Sequence, residues 1–529
     1  MAVDKYIGAR YVPKFSDLNN GDWDNQYSYE ALEIVKNGND FYTAKKPVPP
    51  GVAITDTTYW ALTGNYNGAI STLQQEIDAI NATVKTPELF GAVGDGVTDD
   101  TAAINSALAG GGLVVFKEGA TYLVDPDVSL LVDDNSLIEL NGATIKAKAV
   151  SSDYYEIFLI NQKKNVVIRN GAVVGDKDIH TGTTGEWGMD IYIGGSQNIL
   201  IDNVELSKAW GDGIYIGDTP DYDGVYCKNV KVENCSIHDC RRQGISIVWA
   251  EDVQVSNNVI RDIAGTNPQS CIDIEPNGAQ FVKRCLIDSN IIENANIGIM
   301  VRDTNGDIDA LVISNNVITI KGALAGLNVT CSNCSVLGNT ITGTGTGGTA
   351  VSLVGAEITF KANSFVELAC QIALYLYHAV KCDIIANSFK NLTLTGSCVY
   401  IHSSQFNHIK SNSLQDVQVG GSDYLFYITG ASGDTSDYNV IQDNSADNVV
   451  SDCTIMLKQY ASHTRIVYNF LWGVSSSYVV FNNSNNAADT HLYFNTLHAG
   501  GSGVAGGTGG GGTLDGVVAQ NMVDGVLVP

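Results

Sequence analysis

Along the middle of the chain, apolar residues come in pairs set two positions apart. Ile191/Ile193, Ile214/Ile216, Ile245/Ile247, Ile272/Ile274, Ile299/Val301 and Leu327/Val329 follow one another in this way. A period of two sends both members of a pair to one face of a strand and the residue between them to the other. Asparagine keeps a matching beat. It recurs before an apolar or small residue at Asn170, Asn203, Asn234, Asn258, Asn290, Asn316, Asn339, Asn363, Asn387, Asn412 and Asn444, at spacings of 23 to 33 residues. "SNNVI" at 256–260 returns at 314–318. A unit of about two dozen residues, repeated with insertions and carrying a short strand and a corner Asn, is the pattern of a parallel β-helix. Asn suits the corner because it tolerates left-handed backbone angles and its amide can bond to neighbouring turns.

The flanks carry other patterns. Residues 30–64 hold short apolar pieces, a Pro-rich turn and Trp60, which predict a small all-β module over residues 1–66. That module reads as an adaptor, or as a carbohydrate-binding-like module if the rings of Trp60 and Tyr59 are exposed. Ile70, Leu73, Ile77, Ile80 and Val84 then follow at spacings of 3, 4, 3 and 4, the a/d seam of a coiled coil. Isoleucine at both positions favours three strands over two, so residues 67–86 read as a short trimeric neck. The β-helix is expected over 87–480, where the Asn beat fades, and a Gly-rich cap or tail over 481–529.

Composition narrows the function. The chain has 57 acidic against 30 basic residues, a formal charge of −27. Nucleic acid and anionic membranes both call for clustered Lys and Arg, so neither is expected as a partner. No apolar run is long enough to span a bilayer, and no signal-peptide pattern opens the sequence. The 11 cysteines are irregularly spaced, which predicts buried reduced thiols and assembly in a reducing cytoplasm. "CSNC" at 331–334 and "CSIHDC" at 235–240 have spacings that zinc can use, but each lacks a second matching pair.

The stretch "LFGAVGDGVTDDTAAINSAL", 89–108, joins a Gly-rich turn to a helix that Asp99 or Asp100 can cap. This motif, followed by the repeats, resembles the opening of the pectate-lyase-like right-handed parallel β-helix proteins, which include phage tailspikes and appendage depolymerases. The resemblance covers residue 89 to about residue 480, and in that family the motif builds the capped start of the solenoid. It implies a homotrimeric phage tail protein that binds and hydrolyses a bacterial cell-surface polysaccharide during adsorption. Such a protein would meet other tail proteins through its N-terminal module, be assembled in the host cytoplasm, and act from the virion outside the target cell. A polysaccharide lyase on the same fold and a non-enzymatic receptor-binding spike are the alternatives.

Aligning the apolar pairs stacks the outward residues into columns. One reads Tyr192, Tyr215, Ser246, Asp273, Met300, Asn328; the next reads Gly194, Gly217, Val248, Glu275, Arg302, Thr330; a third, before the pairs, reads Asp212, Gln243, Ser270, Ile297. "CIDIEPN", 271–277, therefore points Asp273 and Glu275 to the same side, about 6.6 Å apart at Cα. Two acids on one strand are either a solvated face or a catalytic pair, and glycoside hydrolysis generally needs two carboxyl groups at about this range. Asp273, between Ser246 and Met300, is the candidate acid; Glu275, beneath Arg302, is the candidate base or nucleophile. Asp212 is a third candidate. Arg242, Arg302, Gln243, Trp210, Tyr215, Trp249 and Tyr192 are candidate substrate contacts. Asp218, Asp221 and Asp223 could ligate calcium but lack a full calcium-loop spacing, so no cofactor is expected.

Overall fold

The inward Ile and Val columns leave the repeats one way to bury themselves, which is to stack. A one-residue slip would turn a coil's apolar pair out into water, and each fully buried side chain is worth about 1.5–3 kcal/mol. The register follows the alignment: Ile191 pairs Ile214, then Ile245, Ile272, Ile299 and Leu327, every one of them buried. A computed structural model describes residues 14–38, 40–65, 83–322, 325–344, 347–420, 423–475, 478–482, 490–493, 495–499, 505–506, 518–519, 521–523 and 526–528. It divides into two units, Met1–Val84 and Lys85–Pro529.

The first unit holds a four-stranded sheet of Lys14–Phe15, Glu33–Asn37, Asp40–Ala44 and Trp60–Asn65. Trp60 lies inside it, 2% exposed, with its ring edge-to-face on Tyr29 at 5.4 Å. That placement removes Trp60 as an exposed sugar platform and makes it the core of the module. Residues 67–82 of the expected neck lie outside the described residues, and at its end Val84–Lys85 form a β-strand and not a coiled-coil turn.

In the second unit a short turn at Pro87–Phe90 and the strand Asp95–Asp99 lead into the helix Thr101–Leu108, which buries Ile104, Ala107 and Leu108 in the core. Asp99 Oδ1 accepts the Thr101 N–H at 3.1 Å, while Asp100 turns back to accept from the N–H groups of Val93 and Gly94 at 2.7 and 3.0 Å. Asp95, Asp99 and Asp100, the three acids of the motif, all accept local backbone N–H groups. From there the chain winds as an all-β right-handed parallel solenoid. One face is a 15-stranded, wholly parallel sheet from Leu130–Leu131 to Ala505–Gly506. Coil strands recur past residue 480, at His491–Tyr493, Thr496–Ala499 and Asn521–Val523, and the Asn beat continues with them at Asn495 and Asn521, so the solenoid runs beyond the bound expected from the sequence.

A buried asparagine ladder ties successive coils together. Asn290, Asn316, Asn339, Asn363, Asn387, Asn412, Asn444, Asn469, Asn495 and Asn521 each accept, through Oδ1, the backbone N–H and the side-chain N–H of the Asn one coil below, at 2.9–3.1 Å. The left-handed conformation belongs to the residue before the ladder: Asn257, Ser289, Asn315, Gly338, Ala362, Ala386, Ser411, Asp443 and Tyr468 have φ of 54° to 63°. Asn170, Asn203 and Asn234 occupy that preceding position, with φ of 52° to 62°. The sequence beat thus joined two neighbouring columns, and the ladder position beside Asn234 is Cys235, whose N–H donates to Asn258 Oδ1 at 2.9 Å. All 11 cysteines are buried, and no disulfide forms among the described residues.

Candidate functional site

The site lies on the 15-stranded face, where the strands Asp212–Gly217, Gln243–Ile247 and Ser270–Ile274 stack. Strict alternation would bury Asp212 alongside Ile214. The next position has room only for glycine: a Cβ on Gly213 would lie 2.7 Å from Gly244 O, and one on Gly244 would lie 2.5 Å from Cys271 O. Asp212 stays fully buried, yet its Oδ2 meets Ser246 Oγ at 2.6 Å at the base of the cleft, and Gln243, also fully buried, follows one coil on.

These side chains line a cleft of about 300 Å³ together with Asp273, Glu275, Arg242, Tyr192 and Tyr215. A continuous polar chain crosses it. Arg242 Nη1 reaches Asp212 Oδ2 at 3.3 Å and donates to Gln243 Oε1 at 2.8 Å. Ser246 Oγ donates to Asp212 Oδ2 at 2.6 Å and also touches Gln243 Oε1. Because Arg242 holds the amide oxygen, the Gln243 NH2 faces Asp273 Oδ2 and donates to it. Arg302 Nη1 meets Glu275 Oε1 at 2.9 Å on the outer rim.

The two acids of the strand sit in different surroundings. Asp273 is 3% exposed; burial, then the charge of Glu275, pushes its carboxyl up from 3.8 to about 8, against Arg242 pulling it down. Its Oδ1 is buried without a hydrogen-bond partner among the described residues, which is where a retained proton would sit. Glu275 is a quarter exposed at its side chain and has the Arg302 guanidinium against it. Burial also raises the Asp212 carboxyl, opposed by Arg242.

Of the sequence candidates, Asp273, Glu275, Asp212, Arg242, Gln243, Tyr192 and Tyr215 meet in the cleft, and Arg302 borders it through Glu275. Tyr192 and Tyr215 stack at 4.6 Å over the glycines of the next column, where a Cβ on Gly194 or Gly217 would strike their rings. Trp210 and Trp249 are placed elsewhere. Trp210 stacks on His180 at 3.8 Å with Arg241 over its ring, and Trp249 packs edge-on against Phe281 at 6.1 Å. Asp218 Oδ1 accepts the Thr219 N–H and Asp223 Oδ2 accepts from Gln162, each at 2.8 Å, so the acids considered for calcium point to different partners. Sequence reasoning missed Tyr154, Trp187, Tyr222 and Gln280 on the cleft wall. The signal for the first two was present: the pair Phe158/Ile160 continues the inward ladder one coil earlier, and in that strand Tyr154 pairs with Trp187.

Comparisons with known proteins agree with this architecture. The family model described as "Right handed beta helix region" matches residues 127–280 and 191–365, stretches that contain the cleft acids. The Bacillus subtilis (strain 168) protein YclG is 31% identical over 218 residues, 36% of this chain and 37% of its own length. The capsule K30/K69-specific depolymerase of Klebsiella phage K64-1 is 26% identical over 161 residues, 29% of this chain and 18% of its own length. The chain thus spans well under half the length of either relative. Pre-mature bacteriophage phi29 gene product 12 superposes with a TM-score of 0.47 at 14% identity, covering 82% of this chain and 70% of that one. The chain is a right-handed parallel β-helix protein, with paired carboxyl groups set in a cleft on its 15-stranded parallel sheet.

Proposed function

We propose that this is a phage tail protein whose β-helix binds and hydrolyses a polysaccharide of the bacterial surface, with Asp273 as general acid and Glu275 as base or nucleophile. The observation that carries the reading is the asymmetry of one strand. Asp273 is buried and holds its proton to about pH 8, while Glu275, two residues on, lies against Arg302. Glycoside cleavage needs one protonated and one ionised carboxyl across the same bond. The Asp273 carboxyl gives its proton to the departing glycosidic oxygen as the bond to the anomeric carbon breaks. Glu275 either bonds to that carbon, to be displaced by water, or takes a proton from the water that attacks it. Trp187 and Tyr215 offer ring surface for the sugars, with the buried Tyr192 ring backing Tyr215.

The cleft favours a neutral chain over a polyanion. Its one cation, Arg242, is paired with Asp212 and also lies 3.3 Å from Glu186, and Arg302 is held by Glu275. A lyase would need a cation for the uronate carboxylate. The depolymerase name of the Klebsiella phage relative supports a capsular substrate. Within this reading the chain is a homotrimer, borne on the virion, and linked to other tail proteins through the 1–66 module. No described helix is long and apolar enough to cross a membrane.

The test is incubation with purified capsular polysaccharides and mass spectrometry of the released fragments. Wild type should release oligosaccharides, and Asp273→Asn and Glu275→Gln should each release almost none. Full release by both variants would remove the assigned pair. Fragments ending in an unsaturated sugar would make the enzyme a lyase, and tight binding without fragments would make it a receptor-binding spike.

A further inference from the structure

The outward column that carries Asp273 does not end at the cleft. By strand register it continues through Met300, Asn328 and Ser352 to Tyr375, Tyr400 and Tyr427. Tyr375 is four coils from Asp273, about 19 Å along the axis. There the rings are arranged in layers. Tyr375 and Tyr377 lie side by side, centroids 5.7 Å apart and within 17° of coplanar. Behind them Tyr400 and His402 form a second layer, 5.7 Å apart and within 7° of coplanar, and Tyr427 backs Tyr400 at 4.7 Å. The hydroxyl of Tyr375 is 3.1 Å from His402 Nδ1, which pins one layer to the other.

The inner faces of this stack cover one another. The face of the first layer that looks back along the column is different, because its register partners are Ser352 and Val354, too short to cover two rings. The Tyr192/Tyr215 stack ends in the same manner on the other side of the acids, with Ser246 as the next residue in the column. Two aromatic walls therefore face each other across a floor of Ser246, Asp273, Met300, Asn328 and Ser352. This column carries no charge beyond Asp273, and the column of Tyr377 beside it runs back through Val354 and Thr330 to Arg302, which is paired with Glu275.

We propose that Tyr375 and Tyr377 form a second glycan-binding site, which stacks on a neutral polysaccharide chain that runs along this floor from the cleft. Flat, uncharged rings suit the C–H face of a neutral sugar. The site rests on the reading of the cleft as the place of cleavage, and it accounts for why the column turns aromatic again several coils away. The cross-coil stacking also stabilises the sheet, so the test must separate the two roles.

Full-length wild type, Tyr375→Leu/Tyr377→Ser and the ring-keeping control Tyr375→Phe/Tyr377→Phe are compared on purified neutral capsular polysaccharides. Binding to the polymer is measured, together with cleavage of fragments too short to span about 19 Å from the cleft. Loss of the rings should weaken polymer binding and raise the polymer KM about tenfold, as for the loss of one aromatic anchor. Short-fragment cleavage should be unchanged, and the Phe control should bind as wild type does. Unaltered polymer binding in the Leu/Ser variant overturns the proposal, as does failure of the wild type to bind any neutral polymer. If the polymer binds, nothing is cleaved, and the Leu/Ser variant still binds less tightly, the second site stands and the catalytic reading of the cleft falls.

Discussion

Replacing Asp273 by asparagine removes one proton from the centre of the cleft at almost constant shape. The carboxyl titrates near 8 in the fold against 3.8 as a model group. At about 1.4 kcal/mol per pH unit, ionising it in place costs on the order of 6 kcal/mol. Between those two values the native protein holds a proton that the unfolded chain has released, so wild-type stability falls as pH rises through this window and levels off above about 8. Asparagine has no such proton. The stability of Asp273→Asn relative to wild type should therefore climb by about 1.4 kcal/mol per pH unit from about pH 4 to about pH 8. Urea unfolding of both proteins at several pH values measures it. The same variant should lose about 10²- to 10⁴-fold in kcat, the usual worth of a positioned acid. Wild-type activity should fall above about pH 8 as the acid is lost. A pH-independent stability difference, or an Asp273→Asn protein that still cleaves at the wild-type rate, would refute the reasoning.

Three further outcomes are expected. Adding Glu275→Gln to Asp273→Asn should lower activity little beyond the worse single variant, because the two groups serve one step; assays of all three proteins on one polymer show it. Arg242→Met leaves the fully buried Asp212 without its cation and should cost about 3–5 kcal/mol, most of it recovered in Arg242→Met/Asp212→Asn, by urea unfolding. Asn363→Ala strips the Asn339 N–H groups of their acceptor and the Val336 carbonyl of a donor, and should cost about 3 kcal/mol or more, seen as faster amide exchange in the coils on either side.

The β-helix was legible because the inward Ile and Val columns and the Asn beat are both strictly local and both repeat. The asparagines nonetheless misled by one position. Asn tolerates the left-handed corner and also fills the buried ladder beside it, so Asn234 and Asn258 looked equivalent although Cys235 is the true partner of Asn258. Asp273 and Glu275 were visible as a strand pair, and register alone placed Ser246 and Gln243 beneath them. Trp210 and Trp249 were not placeable in this way, since they lie where coils turn and their ring directions follow from contacts with His180 and Phe281 far along the chain. Tyr222 and Gln280 come from inserted loops with no period to follow. The burial that keeps Asp273 protonated depends on neighbours from several coils, which no single stretch of sequence displays.

Cleavage in heavy-oxygen water tests the central claim most directly. Hydrolysis through Asp273 and Glu275 predicts one heavy oxygen atom in each new reducing end, with no ultraviolet-absorbing product and no label released by Asp273→Asn. Unsaturated ends free of heavy oxygen, or full labelling by Asp273→Asn, would contradict it.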